Sequence, residues 1–188
     1  LSVAATPALF DCSRLVSVFD DCFGASENTA LVGGAEEPLY LPAGNDNPRN
    51  LLYFREDYFA SALHETAHWC IAGAERRKQV DFGYWYAPEG RSAQQQRAFE
   101  AVEVKPQALE WLFSLACGYR FRISADNFAD DGQPTGSREF RHAVAAQARR
   151  WQQQGLPPRA ARFYRALARE FATALALTDL VFDPASID

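Results

Sequence analysis

The stretch from Asp57 to Ala72, DYFASALHETAHWCIA, constrains what this chain can fold into more than any other segment. Phe59, Ala60, Leu63, Ala67, Cys70 and Ile71 cover most of a helical wheel, which predicts a buried helix with Asp57 as N-cap and Gly73 just past its end. Set into that apolar surface are His64, Glu65 and His68, an HExxH pattern. Residues four apart on a helix share one face, so both imidazoles can reach a single ion. Burying two imidazoles and a carboxylate is costly unless something satisfies them. The fold must therefore build a core around a polar stripe, and a divalent metal satisfies such a stripe directly.

Two imidazoles rarely complete a metal site, so a third ligand is expected from another element. Only one other histidine exists, His142, and it falls in an arginine-rich segment that reads as surface. The better candidates lie in FEAVEVKPQALEW, where Glu100 and Glu103 are three apart on a predicted helix and Gln107 extends the same face. Glu103 is expected as the ligand, with Glu100 as its supporting or substrate-side carboxylate, although the spacing barely separates the two. Two histidines and a carboxylate suit two chemistries. In a zinc hydrolase the metal acidifies a water and Glu65 takes its proton. In a facial-triad iron site the open positions hold dioxygen and substrate.

The remaining sequence frames that site. Asp11 to Phe23 has helical spacing closed by Gly24, and Thr29–Val32, Leu39–Leu41 and Leu51–Phe54 are short apolar runs bounded by turn residues, read as strands. Val80–Tyr86 and Tyr119–Ile123 also read as strands. A helix is expected over Ser92–Val104, and Pro106 opens or kinks a second one to about Cys117. Asn127 to Gly136 reads as a polar loop, and two more helices, near Arg138–Gln154 and Pro158–Leu177, flank the turn at Gly155–Pro158. The expected architecture is a single α+β domain over residues 1–188, with a zincin-like metal helix packed on a small mixed sheet and C-terminal helices beside it. The first ten residues are apolar without a basic start and read as a loosely docked extension rather than a signal peptide.

Charge and cysteines narrow the setting. Net charge is −5, yet Arg138 to Glu170 holds eight arginines against two glutamates, so +6 there leaves −11 elsewhere. An acidic body with a basic C-terminal segment suggests two surfaces with different tasks. No nucleic-acid-binding motif or aromatic interleaving accompanies the arginines, so nucleic acid is not an expected partner. No apolar run approaches the roughly 20 residues of a membrane-spanning helix. Cys12, Cys22, Cys70 and Cys117 form no CxxC pair and are expected as buried, reduced thiols, which points to the cytoplasm.

Several long segments carry a more specific signal. YFASALHETAHWCIAGAERR (58–77), VDFGYWYAPEGR (80–91) and FEAVEVKPQALEWLF (99–113) closely resemble the elongation factor P hydroxylase family, and EEPLYLPA (36–43), ISADN (123–127) and GLPPRAARFYRAL (155–167) extend the likeness. The resemblance runs from about Leu15 to Leu167. It implies a non-haem Fe(II) enzyme, using dioxygen, that hydroxylates a lysine of elongation factor P, usually one already carrying a β-lysyl group. Zinc or another divalent ion is expected to be able to stand in for iron in purified protein. On this mapping His64, His68 and Glu103 are the metal ligands.

Lysine hydroxylation inserts oxygen into an unactivated C–H bond, which needs a redox metal. The substrate chain is long and cationic, so Glu65 or Asp126 is expected to hold an ammonium group. Tyr84, Trp85 and Tyr86 can line the entrance by cation–π contact. Glu65 has no obvious water proton to take in a hydroxylase. Its expected roles are orienting a ligand, binding the substrate amine or tuning the site. A monomer acting on elongation factor P is the expected working unit.

Overall fold

A computed structural model describes residues 9–81, 91–124 and 137–187. Helix α1, Cys12–Phe23, starts where the Asp11 side chain accepts from the Ser13 amide, and it stops at Gly24. Three strands follow: β1 (Thr29–Ala35), β2 (Leu39–Leu41) and β3 (Asn50–Arg55). They form one sheet in the order β1-β3-β2, with β1 parallel and β2 antiparallel to the central β3. The small mixed sheet expected from the sequence is present.

Helix α2, Phe59–Ile71, carries the HExxH segment. Asp57 does not cap it; Tyr58 occupies the N-cap position with no side-chain bond. Burial, not an N-cap, holds the start of this helix. Ala62, Leu63 and Ala67 are completely inaccessible, and Phe59, Trp69 and Cys70 are buried. Its C-terminal carbonyls, Trp69, Cys70 and Ala72, all accept from the Arg159 guanidinium, which also lies over the Trp69 ring at 4.8 Å. A cation at a helix C-terminus satisfies orphan carbonyls and complements the macrodipole.

Helix α3 runs unbroken from Ala93 to Cys117, opened by a Ser92–Gln95 capping box and closed by Gly118 in the left-handed conformation (φ 68°). Pro106 thus lies inside one continuous helix and does not open a second one, which corrects that half of the expectation. Proline removes one backbone donor, but from Gln107 to Ser114 every residue is buried, and that packing outweighs the loss. Helices α4 (Arg138–Gln154) and α5 (Pro158–Glu170) complete the order. The latter ends seven residues before the expected Leu177, and Ala172 and Ala174 just beyond it have positive φ.

Tyr119–Ile123 is not a strand; the Ile123 amide makes a single bond to the Ile187 carbonyl. Of the Val80–Tyr86 run, Asp81 forms an isolated antiparallel bridge to Tyr40, and residues 82–90 lie outside the described part. The four cysteines are free and buried, as expected. Burial pushes Cys12 up to about 12, with Asp57 adding to the shift, and raises Cys70 and Cys117 further. No helix among the described residues is long and apolar enough to cross a membrane.

The buried hydrophobic residues form one cluster drawn from all five helices and the sheet. At its centre Phe163 of α5 meets Phe113 of α3 edge-on (5.1 Å) and lies 6.0 Å from Phe19 and 6.1 Å from Phe23 of α1. Phe10, from the predicted N-terminal extension, packs against Phe59, Tyr119 and Phe171, so that end of it is docked. Phe163→Ala is expected to lower unfolding free energy by about 3–5 kcal/mol in a denaturant titration. Exposed Arg165→Ala should stay within about 0.5 kcal/mol of wild type in the same assay.

Candidate metal centre

Two helices build the site. From α2, His64 and His68 project one turn apart, with their Nε2 atoms 3.1 Å from each other. From α3, the Glu103 carboxylate reaches both: Oε1 is 3.1 Å from His68 Nε2, and Oε2 is 3.5 Å from His64 Nε2. One donor atom from each of the three residues falls within a 4.8 Å set. Two ligands about 2.1 Å from a common ion are roughly 3.0–3.4 Å apart at octahedral or tetrahedral angles, so the observed spacings suit a shared ion.

The surroundings demand positive charge. Glu65, Glu103 and Glu110 are all buried beside the two imidazoles. Burial alone would lower His64, but the Glu110 hydrogen bond and the charges of Glu110, Glu103 and Glu65 reverse this and hold it up at about 10. Burial alone would raise Glu103, but its bond to His68 and the imidazole charges bring it down to about 2. For Glu65 and Glu110 burial wins and both are raised. A site with these opposing shifts needs protons or a cation to balance it. A metal ion fits the donor set and the charge together.

Further contacts fix the walls. Glu110 Oε2 lies 2.8 Å from His64 Nδ1. Gln107 donates to Glu103 Oε2 at 3.4 Å and pairs with the Ser124 backbone through both ends of its amide. The donors open onto a cavity of about 540 Å³ whose described lining includes Glu65, Phe59, Phe99, Gln107, Tyr119 and Ser124. Glu65 and His68 also border a second, much smaller hollow with Tyr40, Trp69 and Arg77.

Two comparisons bear on this arrangement. Residues 18–181 match the family model described as elongation factor P hydroxylase. The chain belongs to the elongation factor P hydroxylase family. It is also 48% identical over 159 residues to the elongation factor P lysine hydroxylase of Haemophilus influenzae, covering 85% of this chain and 88% of that protein. Neither match supports the peptidase reading of the HExxH segment.

Within this family member the predicted residues distribute as follows. His64, His68 and Glu103 come together. Glu65 stands beside them on the cavity wall. Glu100 does not join the set. Its carboxylate accepts from the Ser137 hydroxyl at 2.9 Å and the Ser137 amide at 3.3 Å, at the N-cap of α4. Tyr84 and Asp126 lie outside the described residues. His142 is exposed beside Arg138 and Arg141.

Glu110 is the residue the sequence reading passed over. It stands seven after Glu103, on the same face of an uninterrupted helix, a signal hidden by the expected break at Pro106. Glu103→Ala is expected to weaken Zn(II) or Fe(II) binding by more than about a hundredfold, beyond the usual cost of losing an outer partner. Glu100→Gln should leave affinity near wild type and instead loosen the start of α4. Metal content after dialysis, with helicity followed by circular dichroism, separates the two.

Proposed function

We propose that this chain hydroxylates a lysine side chain of elongation factor P, with Fe(II) held by His64, His68 and Glu103 and dioxygen as co-substrate. The observation that carries the reading is the gathering of these three donors at the wall of a cavity of about 540 Å³. The family match and the name of the Haemophilus influenzae relative supply the substrate and the class of reaction. The HExxH helix packed between sheet and α3 supports a zincin-like description of the metal helix.

Bound iron would supply the redox chemistry that an unactivated C–H bond requires and that zinc lacks. The protein's own task is to admit, orient and neutralise a long cationic chain. A cavity of this size is in the range of small-molecule sites, which run from about 300 to 1,000 Å³. Phe59, Phe99 and Tyr119 offer apolar surface to the methylenes of a lysyl or β-lysyl-lysyl side chain. Glu65 faces that cavity as a buried carboxylate and is assigned to the substrate ammonium by a charge-assisted hydrogen bond. Asp126 and Tyr84, outside the described residues, are assigned to the same substrate cation by their chemistry, a carboxylate and an aromatic face. Exposed Arg162 and Arg165 on α5 are offered as a contact surface for an acidic face of the protein substrate. We read the chain as a cytoplasmic monomer acting on one protein partner.

The test is mass spectrometry of elongation factor P after incubation with Fe(II)-loaded protein, a reductant and oxygen. One oxygen atom should appear on the target lysine and be absent with His64→Ala. No gain on either the β-lysylated or the unmodified substrate would overturn the proposal. Glu65→Gln should retain its metal and raise KM more than it lowers kcat, whereas a general base would lose turnover outright.

A further inference from the structure

Resting on the metal assignment above, we infer that Glu110 is a positioning residue that sets the tautomer and ring orientation of His64, leaving Nε2 bare toward the ion. Glu110 Oε2 lies 2.8 Å from His64 Nδ1; with Nε2 turned to the ion, the ring proton of a neutral imidazole sits on Nδ1 and donates to that oxygen. In a neutral imidazole the other nitrogen then carries the lone pair. That nitrogen, Nε2, is the atom facing His68 and Glu103. Glu110 cannot serve as a further ligand to the same ion through this contact, because the His64 ring stands between its carboxylate and Nε2.

The placement is demanding. Glu110 sits between Leu109 and Trp111 in a stretch of α3 where every neighbour is buried. A carboxylate in such surroundings is kept only where a specific partner repays its desolvation. Its hydrogen-bond partner there is His64. Glu103 and Glu110 are two helical turns apart, so one face of α3 supplies both a donor to the ion and the group that aims a histidine of α2 at it. His68 is differently served: Glu103 Oε1 approaches its Nε2, on the ion side of the ring. Among the described residues the two histidines are therefore unequal, and His64 is the one with an outer carboxylate on its Nδ1.

The test is metal affinity of the purified full chain, by Co(II) absorption titration and Zn(II) competition, with His64→Ala and Glu103→Ala as references. Glu110→Ala is expected to bind roughly 10- to 100-fold more weakly, the usual effect of losing such a partner. Glu110→Gln keeps the shape and loses the charge, and it should fall between Glu110→Ala and wild type. In Zn(II)-loaded ¹⁵N-histidine spectra, wild type should show a protonated Nδ1 on His64, and its hydrogen-bonded proton should vanish in Glu110→Ala.

Wild-type affinity in a folded Glu110→Ala, with only thermal stability reduced, would overturn the inference. If Glu110→Ala does not fold, wild-type affinity and an unchanged Nδ1 signal in Glu110→Gln would do the same. If His64→Ala and Glu103→Ala also bind like wild type, the metal assignment itself fails and takes this inference with it.

Discussion

Everything in this fold is arranged around a buried electrostatic problem. Three carboxylates and two imidazoles lie between α2 and α3, inside a largely apolar interface. Isolated charges in such a place are untenable. Without an ion the two kinds of group answer each other: the neighbouring carboxylates hold His64 up, and the imidazoles hold Glu103 down. A divalent ion resolves the same imbalance without protons. Hydrophobic burial supplies the rigidity, and the polar stripe supplies the reason for it.

That rigidity comes from outside the site. Helix α2 lacks a side-chain N-cap, yet it is pinned at its far end by Arg159 and along its length by fully buried small residues. Phe19, Phe23, Trp69, Phe113 and Phe163 interlock four helices behind the metal face. Sites on packed helices hold their geometry better than sites on loops. Part of the basic C-terminal segment is spent on this scaffold. Arg159 caps α2, and Arg149 donates to the Phe182 carbonyl. A net charge of +6 in sequence is therefore not all a free docking surface.

The legible parts of the fold were those with one dominant local signal. The three strands of the sheet, the α1 end at Gly24 and the four buried thiols followed from periodicity and residue type. His64 and His68 were readable because four-residue spacing and an apolar wheel agree. Glu103 and Glu100 were nearly indistinguishable, since both fit one helix face; only the packing of α3 on α2 and the Ser137 cap separates them. Tyr119–Ile123 alternates like a strand but finds no strand beside it among the described residues. A ladder needs a partner that sequence periodicity does not reveal.

Pro106 shows how tertiary packing and function combine. At about 100° per residue, Glu103, Gln107 and Glu110 fall within an arc of roughly 60°. That alignment exists only if helical phase is kept across the proline between them. A break there would swing Glu110 away from His64 and Gln107 away from Ser124, leaving Glu103 as the sole polar contact from α3. The missing amide of Pro106 leaves the Val102 carbonyl without its usual helical donor, at a point where the Val102 side chain is half exposed. Pro106 itself is buried, as is every residue from Gln107 through Ser114. That packing holds the register on which the contacts with His64 and His68 depend.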